Sequence, residues 1–285
     1  MEHGPYFTVT ALFTTDYIMR PIEYRQANIM ITGASSGIGL ALAQALAARG
    51  ANLILVACSA EMLRRIAENL ARQHGVRAHA VVADLGADGA AEEVHAQACA
   101  LGLTPHMLIN NAGFATYGRF ESLSLTRQLD EIALNCRAVV ALSHAVLPAM
   151  LSQGHGAIIN VASTAALQPL PYMAVYGATK AFVLSFSEAL WQEYRDRGIR
   201  VLALCPGATD TAFFDVVGAD EAAVGQRMSV DAVVNICLYA LERGRSHVVA
   251  GRANRLLAWL PRLLPRQTVL RVVANMLKPR RQNLP

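Results

Sequence analysis

A tyrosine and a lysine four residues apart have the side-chain types and spacing for acid–base chemistry. Tyr176 and Lys180 lie in a stretch, 174–194, where apolar residues recur at helical spacing and no proline intervenes. At i and i+4 they share one face of the predicted helix. A neighbouring ammonium favours the phenolate, so we expect Lys180 to lower the pKa of Tyr176 from about 10 towards the working pH. Such a tyrosine could exchange a proton with a carbonyl or alcohol oxygen. The alternative is an ordinary solvated helix face.

A glycine-rich turn near the N-terminus predicts a dinucleotide site. The predicted strand 28–32 leads through this turn into an apolar helix at 38–49. Glycines permit positive φ and let a pyrophosphate approach the backbone, while the helix N-terminus supplies N–H donors. The alternative is a tight strand-to-helix connection without a ligand. The residues expected at the cofactor are Gly33, Ser35, Ser36, Gly37, Ile38 and Gly39.

The end of the second predicted strand, 53–57, bears on the choice of cofactor. NAD selectivity needs a carboxylate there for the ribose 2′-hydroxyl, and NADP selectivity needs a cation for the 2′-phosphate. Cys58 and Ser59 provide neither, and the missing carboxylate argues against NAD(H) more strongly. Ser59, which we expect to cap the next helix, could donate to a phosphate, with Arg64 and Arg65 further along. The sequence favours NADP(H), with NAD(H) as the alternative.

Polar residues also follow the later strands. Asp84 follows strand 78–83 and could accept from an adenine amino group or cap its own loop. Ser163, after strand 157–161, could face the cleft or only cap the next turn. Asn135 lies within the predicted helix 126–151 as a satisfied core residue or a relay. The other residues expected at the cofactor are Asn111, Ala112, Gly113, Pro206, Gly207 and Thr209; the asparagines at 110 and 111 could instead tie strands together.

The order of elements predicts an α/β fold, a doubly wound, mostly parallel sheet of the Rossmann type with its site at the carboxyl ends of the strands. The 285 residues are 54% hydrophobic and 16% charged, which suits a sheet buried on both faces. We expect a single domain at 27–251, an N-terminal extension at 1–26 and a tail at 252–285. Residues 213–229 have the apolar side chains of a mobile substrate cover.

Cysteine usage and hydropathy indicate a cytoplasmic protein. The five cysteines are scattered and show no Cys-x-x-Cys spacing, which favours reduced thiols over disulfides or a zinc site. We therefore expect no metal. No apolar run approaches the roughly 20 residues of a membrane-spanning helix, and no secretory signal is recognisable.

The chain resembles the short-chain dehydrogenase/reductase family over about residues 28–251. The resemblance rests on motifs in the family's order and approximate spacing, namely Thr32-Gly-Ala-Ser-Ser-Gly-Ile-Gly39, Asn110-Asn-Ala-Gly113, Asn135, Ser163, Tyr176-x-x-x-Lys180 and Pro206-Gly207. Many NADP-dependent relatives carry an arginine where this chain has Cys58. Family members commonly form dimers or tetramers through the helices that carry Asn135 and Tyr176, so the resemblance implies a homo-oligomer.

The resemblance also implies roles for individual residues. Tyr176 would be the general acid in reduction or the base in oxidation, and Ser163 would hold and polarise the carbonyl oxygen. Lys180 would hold the nicotinamide ribose and lower the tyrosine pKa. Asn135 would support a water that relays protons to Lys180, and Thr209 would bind the nicotinamide carboxamide. The implied activity is hydride transfer between NADP(H) and a small-molecule carbonyl or alcohol. NAD-dependent alcohol oxidation and a catalytically silent nucleotide-binding module are the alternatives.

The tail at 252–285 is basic and amphipathic. It contains eight Arg or Lys residues and no acid, so subtracting +8 from the formal charge of +4 leaves −4 for the rest of the chain. The segments 256–260 and 269–277 have an apolar face at helical spacing, interrupted by Pro261 and Pro265. Such segments either pack on the protein or on a partner subunit, or contact an anionic membrane peripherally. We expect no nucleic-acid binding, because no recognition module is recognisable.

Overall fold

Seven parallel strands form one sheet in the computed structural model of this chain, which describes residues 20–213, 217, 227–259 and 263–279. The strands are β1 (Asn28–Thr32), β2 (Asn52–Ala57), β3 (Ala78–Val82), β4 (Met107–Asn110), β5 (Gly156–Val161), β6 (Ile199–Cys205) and β7 (His247–Val249). Their order across the sheet is β3-β2-β1-β4-β5-β6-β7. Strands β1 to β3 therefore extend in sequence order to one edge of the sheet, and strands β4 to β7 extend to the other edge. The topological switch lies between β1 and β4.

Helices connect the strands and cover both faces of the sheet. Those in the described ranges are α1 (Gly37–Ala47), α2 (Ala60–His74), α3 (Ala90–Ala100), α4 (Leu125–Ile132), α5 (Ala138–Gln153), α6 (Ala174–Tyr194), α7 (Val230–Glu242), α8 (Arg252–Trp259) and α9 (Arg266–Leu277). The predicted doubly wound parallel sheet is confirmed.

The core has two layers because successive residues of a strand point to opposite faces of the sheet. On β2, Leu53 and Leu55 pack with α1, α2 and α7, whereas Ile54 and Val56 pack with α3 and α5. All four side chains are fully buried. Burial on both faces explains why this strand is a continuous apolar run rather than an alternating one.

The helix predicted at 126–151 is interrupted by a π-helical turn at Ala133–Arg137, which joins α4 to α5. This turn carries Asn135, whose hydrogen bonds to neighbouring segments hold it in place; π-turns occur frequently at functional sites. Within the described residues, Leu125–Gln153 is the one helical stretch long and apolar enough to cross a membrane by length and composition. Here α5 packs against β4 and β5 of the sheet.

Both ends of the described chain contact the body. The Arg200 side chain donates to the carbonyl oxygen of Arg20 (2.6 Å), and Tyr24 is buried in the core. Residues 1–19 lie outside the described chain, as does most of the cover predicted at 213–229, of which only 213, 217 and 227–229 are described. The tail forms α8 and α9 where its apolar face predicted helices, with Pro265 at the N-cap of α9.

A buried polar network fixes α6 against the sheet. The Asn110 amide donates to the Asn160 side-chain oxygen (2.8 Å) and to the Ser143 hydroxyl (3.2 Å). The Asn160 amide in turn donates to the Ser187 hydroxyl (2.9 Å) on α6. Because all four side chains are buried, each hydrogen bond satisfies a group that would otherwise be costly to bury. The network joins β4 and β5 to the helices packed on them.

Candidate active site

Helix α6 presents Tyr176 and Lys180 to the carboxyl end of β5. The two residues belong to a buried stripe that continues with Val183 and Ser187, as helical periodicity requires. The Lys180 ammonium donates to the carbonyl oxygen of Val161 (2.8 Å), the last residue of β5. This bond fixes the register between helix and strand, so the residues that follow β5 lie beside Tyr176.

Ser163 fills both of the roles that the sequence left open. Its hydroxyl accepts from the N–H of Ala165 (3.1 Å) and so caps the short 3₁₀ turn Thr164–Leu167. The same side chain lines the cavity together with Tyr176 and acts to lower the pKa of the phenol. The serine that caps this turn therefore also faces the cleft.

Burial, rather than the lysine, controls the acidity of the pair. Burial raises the pKa of Tyr176 to about 12; the nearby Ser163 hydroxyl opposes this rise, and the Glu131 carboxyl adds to it. Burial likewise lowers the pKa of Lys180 to about 8. The expected fall in the tyrosine pKa is therefore wrong, because burial of the phenol outweighs the groups that lower its pKa. At neutral pH Tyr176 is a phenol that can give up a proton.

Asn135 is a hydrogen-bonded core residue behind the cleft. Its amide donates to the Phe114 carbonyl (2.9 Å) and the Thr179 hydroxyl (3.1 Å), and its oxygen accepts from the Phe114 N–H (3.2 Å). A Cβ added at Gly113 would stand 2.7 Å from the Asn135 oxygen and 3.5 Å from the Lys180 nitrogen. Glycine at 113 therefore allows the loop after β4 to pack directly on Asn135 and Lys180.

The glycine-rich turn between β1 and α1 has the geometry that a pyrophosphate needs. Gly33 and Gly37 adopt positive φ, at +62° and +53°. A Cβ at Gly39 would lie 2.4 Å from the Gly33 carbonyl oxygen, so no larger residue fits beneath the turn. Ser36 occupies the N-cap of α1 without a side-chain capping bond, which leaves the first-turn N–H groups to a ligand. These observations fit a bound dinucleotide.

Asn111 and Thr32 clamp β4 to β1 at this turn. The Asn111 amide donates to the carbonyls of Thr32 (2.9 Å) and Gly33 (3.1 Å). The Thr32 hydroxyl accepts from the N–H groups of Asn111 and Ala112, each at 2.9 Å. The expectation that the asparagines tie neighbouring strands together is confirmed.

One cavity of about 460 Å³ contains most of the residues expected at the site. It runs from the glycine turn, past Ser163 and Tyr176, to an apolar wall. The predicted residues that line it are Gly33, Ser35, Ser36, Gly37, Ile38, Asn111, Ala112, Gly113, Ser163, Tyr176, Lys180, Pro206, Gly207 and Thr209. Gly39 and Asn135 do not line it; Gly39 lies next to Gly33, and Asn135 lies next to Gly113.

Ser59 and Asp84 lie outside the cavity lining and are exposed at the ends of β2 and β3. Ser59 occupies the N-cap of α2 as expected, but its side chain makes no capping bond. Its backbone ψ is 84°, whereas the serine caps whose side chains do bond have ψ between 123° and 162°. Asp84 caps its own loop by accepting from the Gly86 N–H (2.9 Å). Across the described ranges, no three His, Cys, Asp or Glu residues cluster as a metal site would require.

Glu131 is a buried carboxyl beside the site that the sequence analysis missed. One of its oxygens accepts from the Thr116 N–H (3.1 Å) and hydroxyl (2.7 Å), and the other is buried without a hydrogen-bond partner. Burial raises the pKa of Glu131, against the Thr116 hydrogen bonds and the charges of Lys180 and Arg127. The available signal was a glutamate one helical turn before Asn135 in a mostly apolar stretch.

The tail helix α9 closes the far side of the cavity, which the sequence analysis also did not anticipate. Val269, Val273 and Leu277 are buried against Leu170 and Tyr172. The Tyr117 hydroxyl donates to the Leu277 carbonyl oxygen (2.8 Å) and fixes the end of the helix. The spacing of the three apolar residues was visible in the sequence, but the surface they cover was not.

The chain belongs to the short-chain dehydrogenase family, whose model matches residues 27–222, more than half of the sequence. The site just described lies where this fold places its ligands, at the carboxyl ends of the strands and next to the switch between β1 and β4.

Among curated proteins, the chain is 36% identical over 183 residues to the very-long-chain 3-oxoacyl-CoA reductase of Anas platyrhynchos. That alignment covers 62% of this chain and 58% of the relative. The chain thus matches less than two thirds of the length of such relatives.

Two solved structures match most of the chain. A short-chain dehydrogenase from Sphingobium yanoikuyae in complex with NADPH is 33% identical, with a TM-score of 0.75 and coverage of 91% of this chain and 98% of that one. A bulky-bulky ketone specific alcohol dehydrogenase from Comamonas testosteroni is 29% identical, with a TM-score of 0.71 and coverage of 90% and 96%.

The buried carboxyl gives a testable pH dependence of stability. Because its folded-state pKa is raised, Glu131 destabilises the fold progressively as pH rises above the ordinary carboxyl pKa of about 4.3. Glu131→Gln removes this titration while retaining an acceptor for Thr116. The free energy of unfolding of the wild type, minus that of the variant, should therefore fall as pH is raised above about 4.3 in urea titrations.

Glu68→Gln on α2, where the carboxyl is exposed, is the matched control and should leave the pH profile of the wild type unchanged. Parallel pH profiles for the wild type and Glu131→Gln would show that Glu131 does not titrate as its burial requires.

Proposed function

We propose that the protein is an NADP(H)-dependent reductase of bulky, apolar carbonyl compounds. The observation that carries the proposal is the single cavity that joins the glycine turn, the Ser163 and Tyr176 hydroxyls and an aliphatic wall. A cofactor on the turn and a substrate against the wall would meet at Tyr176. The family match supports an oxidoreductase.

Tyr176 would supply the proton of the reaction. Its raised pKa of about 12 keeps the phenol protonated at neutral pH, so a proton is available for the alkoxide that forms when a carbonyl is reduced. The nicotinamide cofactor, when bound, supplies the hydride. Ser163 would donate a hydrogen bond to the same carbonyl oxygen and stabilise the charge that develops there. Both hydroxyls are already positioned, so little reorganisation is needed when the carbonyl binds.

Lys180 and Asn135 would support the proton donor. The Lys180 pKa of about 8 lets this amine gain or lose a proton near neutral pH. We propose that it holds the nicotinamide ribose and resupplies a proton to Tyr176. Asn135 fixes the Phe114 backbone and Thr179 beside Lys180, and we propose that a water held there completes the relay.

The preference for NADP(H) is supported at the end of β2. The residues there, Cys58 and Ser59, bring no carboxylate that would repel a 2′-phosphate. The Ser59 hydroxyl makes no capping bond at α2, so it can donate to that phosphate. We propose that Asp84 accepts from the adenine and that Thr209 binds the carboxamide. The NADPH complex of the Sphingobium yanoikuyae relative agrees with this choice.

The apolar wall defines the class of substrate. Beyond Tyr176 the cavity is lined by aliphatic and aromatic side chains from three segments of the chain, Leu170, Met173, Phe213, Leu264, Val269, Val273 and Leu277. None of them is charged, so a ketone with large apolar substituents fits better than a polar metabolite. The relatives named for a bulky ketone and for a very-long-chain acyl group agree with such a substrate.

A cofactor titration followed by a carbonyl panel tests this function. Fluorescence titration should give a dissociation constant at least about tenfold lower for NADPH than for NADH, equivalent to about 1.4 kcal/mol. With NADPH, ketones carrying two large apolar groups should react with a higher kcat/KM than small or charged ketones, because only they fill the apolar wall.

Preference for NADH would contradict the cofactor assignment and favour NAD-dependent alcohol oxidation. Tight NADPH binding without turnover of any carbonyl would favour the silent nucleotide-binding module.

We also propose a homo-oligomer formed through α4, α5 and α6. These helices expose Leu129, Ile132, Val140 and Phe182, and exposed apolar side chains on neighbouring elements mark interaction surfaces. Light scattering should give two or four times the mass of one chain. Leu129→Glu together with Phe182→Glu should reduce it to one chain, because charges would be buried in the interface. A monomeric wild type would exclude this assembly.

A further inference from the structure

Helix α9 has one broad apolar face, of which the fold buries only part. Val269, Val273 and Leu277 are buried against the body. At the edge of the same face, Val272 and Met276 are 50% and 52% exposed. A helix packed on a soluble body normally buries its apolar face and exposes the polar one. The exposed part of the apolar face therefore needs another explanation.

Exposed apolar residues of the tail lie at the mouth of the cavity. Leu264, Val272 and Met276 all line it and are all exposed, so the cavity opens between them. Leu256 on α8 and Leu263 before α9 are also exposed, Leu263 at 75%. A substrate that enters here crosses an aliphatic rim rather than a polar one.

The helices that carry this rim also carry positive charge. Arg266, Arg271 and Lys278 are exposed on or beside α9, and Arg252 and Arg255 are exposed on α8. Within the described chain these five form no ion pair, and residues 252–285 contain no acid. The formal charge is +8 in the tail and −4 in the rest of the chain, so the tail would attract a negatively charged partner.

We propose that α8 and α9 seat the protein on an anionic lipid surface, with the exposed aliphatic residues in the acyl region and the basic residues at the headgroups. Apolar side chains ringed by Lys and Arg are the pattern of an interfacial helix. An acidic protein would satisfy the charges, but it would leave the aliphatic rim without an apolar environment. In this orientation the cavity mouth faces the lipid, which dissolves apolar carbonyl compounds of the class proposed above.

Vesicle co-sedimentation of the full chain tests the surface. Binding to phosphatidylcholine vesicles should rise at least about tenfold when about 30 mol % phosphatidylglycerol is included, and should fall as salt is added. Arg266→Glu with Arg271→Glu should reduce binding to anionic vesicles at least about tenfold, since two attractions become repulsions. Leu256→Ser with Leu263→Ser should also reduce it, because apolar area is lost.

The matched control is Arg72→Glu with Arg77→Glu, the same charge change on exposed residues remote from the tail in sequence, which should bind vesicles like the wild type. None of these residues lines the cavity, so every variant should keep the NADPH affinity of the wild type.

Equal binding to neutral and anionic vesicles, or tail variants that bind like the control, would overturn the proposal. So would a tail variant that changes only the mass in solution, since that result assigns the face to a second copy of the chain. Selective capture by an acidic carrier protein without vesicle binding would also overturn it. The route of substrate entry rests on the proposed function, but vesicle binding does not, so the two can fail separately.

Discussion

The hydrogen bond from the Lys180 ammonium to the Val161 carbonyl is the contact on which the site depends. It places the only lysine of α6 in the core without a paired carboxylate, and burial keeps the pKa of that amine near 8. The bond also sets the position of α6 along β5, and with it the distance between Tyr176 and Ser163. The Asn110–Asn160–Ser187 network fixes the same helix further along its length.

The described tail completes the site beyond the segment matched by the family model. That model ends at residue 222, yet Val269, Val273 and Leu277 form one wall of the cavity next to Tyr176. In the proposed function, the shared part of the fold would hold the cofactor and the reacting groups, while a segment outside it would contact the substrate. This division agrees with the general rule that a widely used fold acquires its specificity from the segments grafted onto it.

Local patterns in the sequence predicted the fold and most of the site. β1 and α6 were predicted with the bounds that the structure gives them, because continuous apolar runs and helical spacing are local signals. The glycine turn, Ser163 and the Tyr176–Lys180 pair were also predicted, and the structure brings them to one cavity. Such signals require no knowledge of which elements lie side by side.

What the sequence did not predict depends on contacts between distant residues. The rise in the Tyr176 pKa results from burial by several segments, which no i, i+4 pattern reveals. Glu131 matters because Thr116 and Lys180 lie near it, and α9 because it covers Leu170 and Tyr172. The π-turn at Asn135 depends in the same way on Phe114 and Thr179.

The most direct test of this account is the rate of NADPH-dependent reduction of a bulky ketone by Tyr176→Phe. The substitution removes the proton donor and keeps the ring, so kcat should fall about 10²–10⁴-fold while NADPH affinity and the unfolding midpoint stay close to those of the wild type. A Tyr176→Phe protein as active as the wild type would contradict the assignment of Tyr176 as the acid and the function built on it.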